Sequence, residues 1–308
     1  MDIDLITNIL YATVRTGTPL ILIALGEMVA EKSGVLNLGQ EGTLLMGAVM
    51  GFIAAVTTGS LFAAVLVAMV AGLMMSLLFG FLSITLVSNQ VATGLALTIF
   101  GAGLSAFLGS GYVGIGIDGI EPMAIPVLSE IPVVGKVLFQ QDPLVYASFI
   151  LFGAVYWVFK SSRIGLKIRA VGENPEAANA MGMNVHAIRY MAVLFGGAMT
   201  GLAGGYLSLA YTPLWSEGMS AGRGWIALAL VVFASWKAER IMLGAYLFGA
   251  ASIMHLVMQG LGFDVAPNLL AMLPYVATIV VLVLLSSNQI KAKLSAPMSL
   301  GNPYRPQL

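Results

Sequence analysis

Gly42-Thr43-Leu44-Leu45-Met46-Gly47 opens a run that closes only at Gly116-Ile117, 76 consecutive residues without one Asp, Glu, Lys or Arg. A bilayer crossing takes about 20 apolar residues, so this run holds three. Polar breaks at Thr57-Thr58-Gly59-Ser60 and Ser88-Asn89-Gln90 divide it near 40–57, 61–87 and 90–110. Uncharged runs recur at 143–159, 190–216, 241–263 and 265–290, and 9–30 is apolar apart from Arg15 and Glu27. The run 224–236 is short for a full crossing; either it begins near Met219 with Arg223 snorkelling outward, or it is a broken helix. The expected fold is an all-α polytopic membrane protein of about nine transmembrane helices. One membrane domain covers 1–290, and a tail covers 291–308.

Composition agrees with that reading. Of 308 residues, 59% are hydrophobic and 9% charged, with mean hydropathy +0.94, whereas a soluble domain is about 25% charged. A soluble enzyme and a disordered chain are excluded, as is a nucleic-acid partner, which would need a basic surface. Lys+Arg and Asp+Glu are 14 each and cysteine is absent, so there is no disulfide, thiolate metal site or cysteine nucleophile. The start, Met1-Asp-Ile-Asp-Leu5, is acidic and lacks the positive region of a signal peptide, so the first apolar segment is expected to remain as a helix.

Charge placement sets the expected orientation. Segment 160–189 carries Lys160, Arg163, Lys167, Arg169 and Arg189; Lys237 and Arg240 mark a second basic turn, and Lys291, Lys293 and Arg305 mark the tail. These three alternate as cytoplasmic. Loop 111–142, with Asp118, Glu121, Glu130 and Asp142 against Lys136, falls outside, and so does the N-terminus.

Inside the most basic loop stands Gly172-Glu-Asn-Pro-Glu-Ala-Ala-Asn-Ala-Met-Gly182. Asn174 is an N-cap residue, and Pro175 suits the first helical position, where its missing N–H costs nothing. Glu176 favours the positive end of the helix dipole. Ala177, Ala178 and Ala180 are helix formers, and Gly182 is a natural residue just past a helix end. So short a helix is marginal in water. It docks either on its own bundle or on another chain.

Glu176-Ala177-Ala178-x-x-x-Gly182 resembles the EAA-x-x-x-G signature of permease subunits of ABC importers. The fuller signature continues to Ile-x-Leu-Pro; here Ala192-Val193-Leu194-Phe195 stands instead, a departure from the maltose-type branch. Gly34-Val35-Leu36-Asn37-Leu38-Gly39-Gln40-Glu41-Gly42, after Gly26-Glu27 and Glu31-Lys32-Ser33, is similar to the branch that carries branched-chain amino acids, simple sugars and nucleosides. Thr16-Gly17-Thr18-Pro19-Leu20 is similar to the lipoprotein-dependent nucleoside permeases. The resemblance covers roughly 15–290 and implies a type II importer-like transmembrane domain in the bacterial cytoplasmic membrane. Residues Asn174, Pro175, Glu176, Ala177, Ala178 and Gly182 would form its coupling helix, and the C-terminus would be cytoplasmic. It implies as partners an ATP-binding subunit, a second permease subunit (identical or paralogous), an extracytoplasmic solute-binding protein or lipoprotein, and membrane lipid. ATP and Mg would reside on the ATP-binding subunit, and this chain would hold no cofactor, metal or catalytic residue.

Five polar residues are candidates for the translocation pathway. Asn37, Gln40 and Glu41, spaced i, i+3 and i+4, would share a face at the entrance of the second crossing. They either line the route or cap the helix. Asn89 and Thr93 would share a face at the start of the fourth crossing, for packing or for solute contact. Tyr112, Tyr211 and Trp215 are available to stack on a nucleobase. His255, flanked by Ser252 and Gln259, lacks the carboxylates of a metal site. Gly197, Gly201 and Gly205, and Gly47 with Gly51, repeat every four residues, which permits close helix approach. A faint echo links Gly39-Gln-Glu-Gly42 to Gly222-Arg-Gly224, each before an apolar segment, in the manner of inverted repeats. An ion-coupled carrier would carry charges mid-membrane and a membrane enzyme a nucleophile or acid–base cluster; neither pattern is present.

Overall fold

The computed structural model describes residues 3–260, 272, 276 and 296–305. The crossing expected at 265–290 lies outside the described residues, as do the side chains of His255 and Gln259. Among the described residues, six helices are long and apolar enough to cross a membrane. They are α1 (Ile3–Lys32), α2 (Gln40–Thr58), α3 (Leu61–Gly80, prolonged to Thr85 by a π turn), α4 (Gln90–Gly109, prolonged to Tyr112), α6 (Pro143–Ser161) and α9 (Val185–Tyr206, prolonged to Tyr211 by a second π turn). The short run expected at 224–236 is α10 (Arg223–Phe233), and α11 (Ala238–Gly260) occupies the place of the eighth crossing.

The connection 111–142 is partly structured. A small antiparallel ladder pairs β1 (Met123–Ala124) with β2 (Gln140–Gln141), with α5 (Val134–Phe139) between them. Asp142 ends it: its carboxylate accepts the N–H groups of Leu144 and Val145 at 3.1 Å each, capping α6, and faces Arg15 Nε at 3.8 Å. Burial raises this carboxyl above its ordinary range, while the Val145 N–H and Arg15 pull the other way. Segment 160–189 is helical rather than an open loop. Ser162 caps α7 (Arg163–Glu173), and α8 (Pro175–Ala180) follows at once. The spacing of Gly165, Ile168, Val171 and Gly172 buries one face of α7 and leaves Ile164 and Leu166 exposed.

The interior belongs to α1, α2 and α9, and α3 packs across α2 and α9. Their backbones meet almost directly. A Cβ added to Gly201 would lie 2.3 Å from Ala68 O, and one on Gly72 would lie 2.2 Å from Gly197 O. Where no water drives helices together, such contacts hold the bundle by dispersion, and no larger side chain fits at these two points.

Candidate functional site

The connection between α1 and α2 does not stay at the end of the bundle. After Ser33 the chain turns at Gly34, whose φ of +89° favours glycine, and runs back inside along α4. Leu36 N–H donates to Gln90 Oε1 (2.8 Å), and Thr98 Oγ1 donates to Leu38 O (2.9 Å). Non-helical backbone at membrane depth persists only where protein satisfies its polar groups. These bonds do so, and α2 therefore starts within the bundle.

Three side chains fix that start. Glu27, fully buried on α1, accepts Asn37 N–H at 2.9 Å and Gln40 Nε2 on its two oxygens. Gln40 Oε1 accepts Thr200 Oγ1 at 2.6 Å. Thr200 lies fifteen residues into α9, roughly 22 Å along its axis at 1.5 Å per residue. Asn37 precedes the helix, and its Oδ1 accepts Gly39 N–H at 2.9 Å. The shared helical face expected for Asn37, Gln40 and Glu41 is therefore replaced by divergence. The turn held by Asn37 delays helix formation until Gln40, so the Asn37 N–H and the Gln40 side chain converge on Glu27, while Glu41, the next helical position, faces α10.

Glu41 joins two helix starts. Oε1 accepts Ser220 Oγ (2.6 Å) and Gly222 N–H (2.9 Å), and Oε2 accepts Gly224 N–H (2.6 Å). The first N–H groups of a helix have no internal acceptor, so a carboxylate from α2 completes the buried start of α10. Gly224 is required by closeness, since a Cβ there would lie 2.6 Å from Glu41 Cα. Beyond the far end of α10, Trp236 Nε1 donates to Glu31. The short helix is thus held by a carboxylate at each end. The sequence echo between Gly39–Gly42 and Gly222–Gly224 corresponds to a physical meeting of the two segments.

The other candidates lie elsewhere. Asn89 is exposed and caps α4, its Oδ1 accepting Ala92 N–H at 2.9 Å, while Thr93 pairs with Ser88 Oγ at 2.8 Å. The neighbour that reaches the inner segment is Gln90, whose buried Nε2 has no partner among the described residues. Trp215 is buried against Gly109, whereas Tyr211 stands between the guanidinium groups of Arg15 (6.0 Å) and Arg223 (5.6 Å). A groove of about 820 Å³ between α6, α7 and α9 is lined mainly by apolar side chains such as Val155, Ile168 and Ala192, a lining unsuited to a polar solute.

At the end of the bundle where α7 lies, α8 is specified as its residues require. Asn174 Oδ1 accepts Ala177 N–H at 2.9 Å, Pro175 takes the first position, and Gly182 closes the turn at φ +79°. Ala178 is buried at 3% exposure, while Glu176, Ala177, Asn179 and Ala180 are exposed.

Glu27, Glu31, Thr200 and Ser220 were not among the sequence candidates. The available signal was Glu27 and Glu31 at i and i+4 in an apolar helix: two carboxylates on one buried face demand donors.

Among the described residues, six crossing-competent helices and an interior broken by two polar helix starts are the architecture of a multi-pass membrane protein. The chain belongs to the family described as the branched-chain amino acid transport system permease component, which matches residues 9–285. It is 38% identical to a putative glucose ABC transporter permease protein of Haloferax volcanii, over 98% of each chain. It is 34% identical to a guanosine ABC transporter permease protein of Bacillus subtilis (99% of this chain, 98% of the relative). A nucleoside ABC transporter permease protein of Lactococcus lactis is 32% identical (90% and 91%). No solved structure matches significantly.

Proposed function

We propose that this chain is the transmembrane subunit of an ATP-driven importer that moves nucleosides across the cytoplasmic membrane, with the α8 end and the C-terminus in the cytoplasm. The observation that carries the reading is α8, a two-turn helix capped at both ends, anchored by one alanine and otherwise presented to solvent beside a bundle that resembles ABC permeases over its full length. Asn174, Pro175, Glu176, Ala177, Ala178 and Gly182 form the coupling helix gripped by a separate ATP-binding subunit, which supplies ATP and Mg. A second permease subunit completes the path, and an extracytoplasmic binding protein delivers solute.

Translocation involves the inner segment. Movement at α8 passes through α7 and α9 to Gln40 and Glu41, where α2 and α10 part or close. The solute is recognised by neutral donors and acceptors and by Tyr211. Asn89 and Thr93 act at the cytoplasmic mouth of the route.

The test is uptake by proteoliposomes that contain the permease pair, the ATP-binding subunit and the binding protein. Replacing Glu176 and Gly182 together leaves ATP hydrolysis but abolishes uptake; normal uptake refutes the coupling role. A second reading, a sugar permease, is favoured by the Haloferax relative at 38% identity. Labelled guanosine against labelled glucose separates the two, and transport of glucose alone removes the nucleoside assignment.

A further inference from the structure

The segment 296–305 lies at the same end of the bundle as α8, and the proposed function assigns it nothing. It forms a tight turn, with Leu300 N–H donating to Pro297 O and Asn302 N–H to Ser299 O. Ser299 sits at its centre, 7% exposed. Its N–H (3.0 Å) and Oγ (2.6 Å) both donate to Gly172 O near the end of α7, two residues before the α8 cap. Gly301 N–H donates to Gly34 O at 3.2 Å, at the turn that sends the chain back inside toward Asn37 and Gln40.

Arg189 completes the junction. It is 2% exposed, and among the described residues no carboxylate pairs with it. Its guanidinium donates to Ser33 O (3.2 Å), Ser299 Oγ (3.2 Å) and Asn302 O (3.4 Å), and it lies 5.8 Å from the Tyr304 ring. A buried guanidinium is retained only where several acceptors meet it. Here three backbone or hydroxyl oxygens converge from α1's end and from the tail, so one side chain on α9 clamps both. The turn at Gly34 has no room for a side chain, since a Cβ there would lie 2.3 Å from Ser299 Oγ.

The outer face of this junction is unusual for an aqueous surface. Met298 is 80% exposed, and Met181, at the end of α8, is 79% exposed. Between the tail and the start of α8 lies a cleft of about 250 Å³ lined by Pro175, Glu176, Met298, Tyr304 and Arg305. Exposed Glu173, Glu176, Asn302 and Arg305 surround Met298 in this cleft, a polar rim that points to a partner in water rather than to the hydrocarbon of a membrane, while Met181 lies at the opposite end of α8, beside the apolar groove. A large soluble protein with apolar pockets fits both. Adaptable methionine anchors in a polar rim are typical of protein-binding surfaces.

We propose that the tail turn Ala296–Arg305 is a second contact element for the ATP-binding subunit, set beside α8 and tied through Ser299 and Arg189 to the Gly34 turn that leads to the solute gate. The proposal rests on the assignment of α8 as the coupling helix. Load applied at α8 then reaches the inner segment by a route that bypasses the long helices: Gly172 to Ser299, then Gly301 to Gly34.

The chain has no cysteine, so single-cysteine variants report position directly. Met181→Cys, Met298→Cys and, as a membrane-facing control, Phe107→Cys are treated with a short bismaleimide in the assembled transporter carrying single surface cysteines on the ATP-binding subunit. Cross-links at both methionine positions and none at Phe107 support the proposal. Links at Met181 alone overturn it and leave the coupling-helix assignment intact; links at neither position overturn that assignment as well. In the same assembly Ser299→Ala retains the ATP-binding subunit in full but lowers solute moved per ATP at least three-fold. An unchanged ratio overturns the mechanical tie.

Discussion

The most apolar span and the most buried span are different helices. Leu61–Thr85 has the highest hydropathy of the six, yet 28% of its most apolar window is buried; Val185–Tyr211 is among the least hydrophobic and 83% buried. A soluble protein would reverse the pairing. In lipid the solvent is as apolar as leucine, so hydrophobicity sends a helix outward, and small or polar residues draw it in. Helix α9 supplies Gly197, Gly201, Gly204 and Thr200 to its neighbours, whereas α3 and α4 turn Phe62, Ile99 and Phe107 outward.

Four experiments test how deep that contrast runs. The largest effect is expected for Gly201→Leu, which forces a side chain into backbone 2.3 Å away. Overpacking costs about 1–3 kcal/mol and occasionally more, and this site has no soft neighbour, so monodisperse protein is lost on size-exclusion chromatography. A stable Gly201→Leu protein would deny the close contact. Next is Glu41→Ala, which strands the N–H groups of Gly222 and Gly224 at about 1–3 kcal/mol each. Thermal unfolding in detergent shifts downward and transport falls at least ten-fold, while Glu41→Gln, which keeps one acceptor oxygen, lies between.

A smaller effect is expected from Gln40→Leu and Thr200→Val. A double-mutant cycle on stability gives a coupling of about 0.6 kcal/mol, the usual value for a bond between membrane helices; zero coupling would mean that the two do not share a bond. The smallest is Phe107→Ala on the outward face of α4, within about 0.5 kcal/mol of the parent. A Phe107→Ala loss as large as that of Glu41→Ala would show that α4 is covered by protein rather than lipid.

Much of this architecture was legible because bilayer thickness sets helix length. The 76-residue uncharged run divides into α2, α3 and α4 at the polar breaks around Thr57–Ser60 and Ser88–Gln90. Helix α8 was legible because Asn174, Pro175 and Gly182 fix its ends locally. The inner site was not, because its partners are far apart in the chain. Glu41 meets Ser220 and Gly224 across roughly 180 residues, and Gln40 meets Thr200 across 160. Helical periodicity placed Asn37 on the face of a helix that begins only at Gln40, since spacing rules do not register a turn stabilised by the side chain of Asn37 itself. Helix α7 is specified by the Ser162 cap and the Gly165–Ile168–Val171–Gly172 spacing, a pattern interrupted by the basic residues that set orientation.

The carboxylate of Glu41 is met by a hydroxyl and two backbone amides and, among the described residues, by no cation. An ion pair at that depth would resist separation, because each parted charge would have to be hydrated alone. Neutral donors are replaced one for one by water molecules, which offer a departing carboxylate the same number of hydrogen bonds. The seam between α2 and α10 is thereby held by exchangeable hydrogen bonds rather than by an ion pair among the described residues.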